Sequence, residues 1–169
     1  RAVIDGPIGK EILDKITASS ARLVGLGWMD SGSRSMYTKN AINAPADLKG
    51  QKIRVMGNPM FIEMMNAMGG NGISMGHTDT YSALQTGVVD GAENNPPTFF
   101  ASNQYTAGPK FYSQTTHLII PELFVMSKVA WDKMSKDEQA LVMKLSREAQ
   151  MEQRQLWDKS VGEYTAKLK

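Results

Sequence analysis

The sequence predicts an α/β protein. Three features carry that reading: short apolar strands alternating with glycine-stopped helices between Lys52 and Ala92, an apolar run at Arg22–Met29, and a long amphipathic helix opened by a capping box at Ser135. Strand–helix–strand–helix–strand is the signature of a parallel sheet with right-handed crossovers.

Taken in order, Pro7 followed by Ile8, Ile12, Leu13 and Ile16 has helical spacing, with proline in the first turn where its missing N–H costs little, and predicts a helix over 7–18. Arg22–Met29 (RLVGLGWM) is short and apolar enough for a buried strand; it ends in Asp30-Ser31-Gly32-Ser33, which reads as a turn, with a loop on to Asn43. Pro45–Gly50 reads as one helical turn closed by glycine and feeding a strand, Lys52–Met56, with Ile53 and Val55 on one face and Arg54 on the other. Asn58-Pro59 starts a helix with Phe61, Met64, Met65 and Met68 at helical spacing, a stripe read as core, and Gly69-Gly70 stops it. A strand at 72–76 follows, then a helix capped by Thr78 or Asp79, with Tyr81, Leu84 and Val88 facing inward and Gly87 at its end. The next strand is 88–92.

Beyond Pro96-Pro97, residues 98–105 and 109–112 suggest short helices, and 117–127 two extended pieces split by Pro121. Ser135-Lys136-Asp137-Glu138 is a capping box, and Val142, Leu145, Ala149 and Leu156 form the stripe of a helix running to about residue 157 or further.

With 169 residues and 41% hydrophobic content, the chain can build one sizeable core or two lobes sharing it unevenly. A net charge of +2, from 19 basic and 17 acidic residues, with no basic run interleaved with aromatics, argues against a nucleic-acid partner. No apolar run approaches the roughly 18 residues needed to span a bilayer. The start, RAVIDGPIGK, has neither a methionine nor a signal-peptide apolar region and reads as mature, processed or truncated. The absence of cysteine removes disulfides and thiolate chemistry and leaves the compartment open.

Ligands of open α/β sheets sit outside the carboxyl ends of the strands. Three consecutive strands end in Arg54, in His77 and in Glu93-Asn94-Asn95, which places those side chains at one rim, with Tyr81 on the intervening helix. An arginine fork matches a carboxylate, and asparagine amides suit hydroxyls, so the set describes a site for a small polyhydroxy acid. Each residue also has a structural reading. A strand-end arginine serves equally as a solvated residue or ion-pair partner, His77 as a strand terminator, and Asn-Asn-Pro-Pro as a turn former.

Catalysis has one formal candidate. Gly72-Ile73-Ser74-Met75-Gly76 fits G-x-S-x-G, and Ser74, Asp90 and His117 follow the hydrolase order, but a nucleophile elbow needs a strand directly before the serine, where this chain has a helix and two glycines. Gly25-x-Gly27 is followed by Asp30 where a dinucleotide fingerprint needs glycine. His77 and His117 lack the spacing of a metal motif, so neither metal nor cofactor is expected.

PADLKGQKIRV (45–55) followed by YSALQTGVVDGAEN (81–94) resembles the solute-binding proteins of TRAP transporters, the DctP-type periplasmic substrate-binding family. The similarity extends from VIDGPIGKEILDKI through HLIIPELFVMSKVAWDKMSKDEQ to the long helix. It implies a periplasmic-binding-protein-like fold of two α/β lobes with hinge strands and a long helix, closing on an organic acid without catalysis. The acid would pass to TRAP membrane subunits, a permease driven by a sodium gradient, and the binding protein would be periplasmic and monomeric. Against the family pattern, Arg54 is the main carboxylate-binding arginine, Arg34 of Gly32-Ser33-Arg34 a second pocket arginine, and Asn94 the asparagine after V-D-G-x-E. His77 stands where many relatives have an aromatic, which implies polar contact rather than stacking. Asn94-Asn95-Pro96-Pro97 is similar to members that bind sugar acids, uronates or aldonates. The family runs to about twice this length, in keeping with two lobes of ordinary domain size. The resemblance therefore implies an incomplete first lobe from 1–28 and 121–169 and an entire second lobe from 29–120.

Overall fold

A computed structural model describes residues 1–168. Its backbone forms two compact units, Arg1–Ser31 with Ile120–Lys159, and Gly32–Ile119 with the residues from Ser160 onward.

The first unit holds α1 (Pro7–Ala18), the opening of β1 (Leu23–Thr38), the end of β5 (Phe111–Ser127), α5 (Lys128–Trp131) and most of α6 (Lys136–Ala166). Val24, Leu26 and Trp28 on β1 are buried, and the Trp28 indole donates to Gly9 O at 3.3 Å. Glycine is required at position 9 by close approach, since a Cβ there would lie 1.8 Å from Ile4 O. In an open helix Gly→Ala gains up to about 1 kcal/mol. Here the backbone clash outweighs it, and we expect Gly9→Ala to destabilise the protein by about 1–3 kcal/mol in a denaturant titration.

The capping box is present: Ser135 Oγ accepts from Glu138 N at 3.3 Å while the Glu138 carboxylate accepts from Ser135 N at 2.7 Å. The expected apolar stripe of α6 is corrected. Leu145 and Leu156 are 51% and 61% exposed, and the residues buried on this helix are Ser146, Gln150 and Arg154. Backbone hydrogen bonding, not apolar burial, sets the face. Gln150 accepts from Trp28 N at 3.0 Å, and Gln153 both accepts from Asp30 N at 2.9 Å and donates to Asp30 O at 2.8 Å. Arg154 grips both carboxylate oxygens of Asp5 at 2.6 and 2.8 Å. The 30–33 turn is corrected for the same reason. With Asp30 served by Gln153 and Gly32 able to take φ 69°, β1 runs on to Thr38.

The second unit contains β2 (Lys52–Val55), β3 (Asn71–Ser74) and β4 (Gly91–Asn94), with α2 (Pro59–Ala67), α3 (His77–Thr86) and α4 (Pro96–Ala101). Sheet order is β3-β2-β4-β1-β5. As expected from the alternation, β2 lies parallel to both β3 and β4, while β1 pairs antiparallel with β4. Asn58 caps α2 by accepting from Met60 N, and Gly87 closes α3 in the left-handed conformation.

Ile53 and Val55 join Met36, Ile42, Leu48 and Met65 in one core beside α2. Tyr37, Ala83, Leu84, Val89, Ala92 and Phe99 form the other.

Several boundaries differ from the expectations. The strand predicted at 88–92 is displaced to Gly91–Asn94, with Val88 55% exposed, because Asp90 N already pairs with Lys52 O at 2.8 Å and carries the ladder forward. Gly76, rather than Thr78 or Asp79, is the N-cap of α3. The helix expected over 98–105 is broken at Asn103, whose φ of 52° separates α4 from a 3₁₀ turn at Gln104–Thr106. Residues 109–112 are not helical: Lys110 N donates to Thr38 O at 2.9 Å, and β5 starts at Phe111. Pro121 does not split 117–127; it lies exposed within β5, at the end of the strand order, where a missing N–H is tolerated.

Candidate functional site

Strand β2 holds Arg54 on the side away from Ile53 and Val55, opposite Ala92 of β4. The residue is 2% exposed, and Nε and Nη2 both donate to Met75 O, at 3.0 and 2.8 Å. Nη1 donates to no described residue. Burial lowers the Arg54 guanidinium from its ordinary value, against the pull of Tyr37 and Glu93. The arginine is thus oriented by one carbonyl and left with an open edge.

Asn94, on β4, is 6% exposed. Its Oδ1 accepts from Arg34 Nη1 at 3.0 Å and from Asn95 N at 2.9 Å, and its main-chain carbonyl accepts from Tyr112 Oη at 2.7 Å. Nδ2 has no described partner. Asn95 is 2% exposed and caps α4 by accepting from Thr98 N at 2.8 Å. Its turn-forming reading is therefore realised.

Arg34 is engaged on the protein. Nε and Nη2 grip the two carboxylate oxygens of Glu93 at 2.5 and 2.8 Å, and Nη2 also reaches Glu93 O at 2.9 Å. Arg34 is 4% exposed and Glu93 fully buried. His117 Nε2 lies 3.6 Å from the same carboxylate, and His117 Nδ1 is 2.8 Å from Thr115 Oγ1. Burial alone would raise the Glu93 carboxyl, but the hydrogen bonds from Arg34, with His117 close by, outweigh it and hold the group below its ordinary value.

At the start of α3, His77 Nε2 is 3.0 Å from Ser102 Oγ, and burial together with Arg54 and Arg34 lowers its imidazole, leaving it neutral at pH 7. Tyr81 pairs its hydroxyl with Thr106 at 3.2 Å. The predicted residues therefore divide. Arg54 and Asn94 each keep one donor with no partner among the described residues, His77 and Tyr81 are held by hydroxyl partners, and Arg34, Glu93 and Asn95 are committed to internal bonds.

Sequence reasoning did not find Tyr37, Gln104 or Tyr112; Tyr37 and Gln104 are buried and Tyr112 is half-buried, with its hydroxyl on Asn94 O. Tyr37 is fully buried, stacks on Tyr112 with ring centroids 6.1 Å apart and donates its hydroxyl to Gln104. No motif links them; they meet through tertiary contacts, with Phe99 packed against both Tyr37 and Tyr112.

The hydrolase arrangement has no support in this geometry. His117 is bonded to Thr115 and faces Glu93, Asp90 accepts from Lys52 N at 2.8 Å, and neither bonds Ser74. A separate cavity of about 430 Å³ on the α2 side is lined by Met36, Ile42, Leu48, Met68, Gln114 and Thr115. It holds no charged side chain, so a carboxylate would find no counter-charge there.

Residues 1–169 match the model of the family described as bacterial extracellular solute-binding protein, family 7 (DctP). A TRAP periplasmic solute-binding protein from Pseudomonas putida F1, solved with bound D-glucuronate, is 58% identical with a TM-score of 0.95, over 98% of this chain and 54% of that one. One from Citrobacter koseri, also with bound D-glucuronate, is 51% identical with a TM-score of 0.93, over 98% and 55%. A solute-binding protein of Chromohalobacter salexigens is 38% identical over 94% of this chain and 47% of its own length. The chain spans about half the length of these relatives.

Proposed function

We infer the function from kinship: this chain belongs to the bacterial extracellular solute-binding proteins of family 7. It belongs to the solute-binding component of a TRAP transporter and captures a sugar acid, a uronate of the D-glucuronate class, for delivery to the membrane subunits. It works in the periplasm, as a monomer and without catalysis. Residues 32–119 belong to one lobe, and 1–31 with 120–159 contribute to the other. Capture is a population shift, since ligand that touches both lobes only when they are closed favours the closed state.

One observation carries this reading: Arg54, 2% exposed, keeps Nη1 free of any described partner, and Asn94 keeps Nδ2 likewise free. Both groups can only donate, so together they suit an oxygen-rich ligand. Arg54 takes the carboxylate. Asn94, His77 and Tyr81 read the hydroxyl-bearing ring, and Glu93 and Asn95 hold the wall behind them. Arg34 contributes its charge and its remaining Nη1 hydrogen. The glucuronate found in the P. putida and C. koseri proteins supports the ligand class.

A thermal-shift series on the complete protein tests it, using D-glucuronate, D-galacturonate, D-gluconate and succinate. A uronate at 100 times its Kd is expected to stabilise by about 2.7 kcal/mol, with succinate giving no shift. No response to either uronate would overturn the proposal.

A further inference from the structure

We propose that Arg34 acts as a positioning residue which turns the Asn94 amide so that the site meets one ring substituent of its ligand with a donor only. Hydrogen-bond polarity fixes the amide's orientation. A guanidinium and a backbone N–H can only donate. Both point at the same atom of Asn94, Arg34 Nη1 at 3.0 Å and Asn95 N at 2.9 Å. The alternative amide orientation would set the Nδ2 hydrogens against two donors, so that atom must be the oxygen. The Nδ2 group is then the one left without a described partner, in a residue 6% exposed.

Arg34 can impose this because it is itself immobilised. The Glu93 carboxylate holds Nε and Nη2 at 2.5 and 2.8 Å, and His117 stands 3.6 Å behind that carboxylate. The series His117–Glu93–Arg34–Asn94 is buried from end to end and finishes in a donor. The carboxylate of Glu93, facing Arg34, adds no acceptor to the site. Arg54 Nη1 is a donor as well.

A ligand substituent at Asn94 must therefore accept. A hydroxyl does so, fluorine does so weakly, and a protonated amine cannot. This inference rests on the uronate reading and adds the specificity of one contact to it.

The test uses the complete protein and D-glucuronate analogues with fluorine or an amino group replacing the hydroxyl at C2, C3 or C4, with affinities read by calorimetry. Arg34→Ala is a poor probe because it leaves Glu93 buried without its partner. Asn94→Asp is the better one: it keeps an oxygen toward Arg34 and turns the ligand-facing donor into an acceptor. In the unaltered protein the fluoro analogue is expected to bind at least tenfold more tightly than the amino analogue at the position that meets Asn94. In Asn94→Asp that order reverses at the same position, while the other two positions keep their order. A general loss of fold or charge balance would not single out one position. An unchanged order in Asn94→Asp, or a reversal at all three positions, would overturn the assignment while leaving uronate binding in place. Failure of the unaltered protein to bind D-glucuronate would instead remove the uronate reading and this inference with it.

Discussion

Replacing Arg54 with alanine is expected to weaken D-glucuronate binding by about 2–5 kcal/mol, the range for removing one partner of a buried, hydrogen-bonded charge pair. At about 1.4 kcal/mol per decade this is a loss of one and a half to three and a half powers of ten in Kd. The loss exceeds that of a neutral contact because the guanidinium is oriented in advance by Met75 O, at 2.8 and 3.0 Å, and is desolvated before ligand arrives. Arg54→Lys should fall between, since an ammonium keeps the charge and loses the planar fork. Calorimetry returning an unaltered Kd for the alanine variant would remove Arg54 from the site.

The second large effect concerns stability. Arg34→Ala should destabilise the protein by about 3–5 kcal/mol, because it leaves a carboxylate that is fully buried without its main partner. Replacing both Arg34 and Glu93 by methionine should cost far less, as buried pairs exchanged for apolar residues of similar size are often neutral. A denaturant titration that found the double variant as damaged as the single one would show that shape, not charge, dominates. Acid gives an independent check with a defined sign. The folded Glu93 carboxyl titrates below its ordinary 4.5, so its contribution is complete above that value and is lost as pH falls through the lower, folded one. Stability referable to this pair should hold at neutral pH and decline only below about 4.5.

Much of the central sheet was legible because its signals are local. Asn58-Pro59, Gly69-Gly70 and Gly87 mark helix ends by backbone chemistry that needs no tertiary partner, and the parallel order of β3, β2 and β4 follows from the alternation they bound. Arg54 and Asn94 were legible as candidates because strand ends carry the ligand groups of such sheets. What escaped was non-local. The polar run 30–33 has turn composition, and only Gln153, more than a hundred positions away, makes it strand. The stripe through Leu145 and Leu156 is correct as periodicity and wrong as burial, because glutamines and an arginine take the inner face. The resemblance implies Arg34 as a second pocket arginine, whereas the pairing of Met36 with Glu93 brings a counter-charge alongside it.

The grip of α6 on β1 bears on self-association. β4 pairs with β1 only from Ser35 to Thr38, so the earlier part of β1 has no pairing with it. An unguarded strand edge invites another chain to add to the sheet. Trp28 N, Asp30 N and Asp30 O are the groups such a chain would use, and Gln150 and Gln153 occupy all three. Among the described residues, two amides on a helix thus take the hydrogen bonds that a neighbouring strand would make and, unlike a strand, present no further edge to be copied.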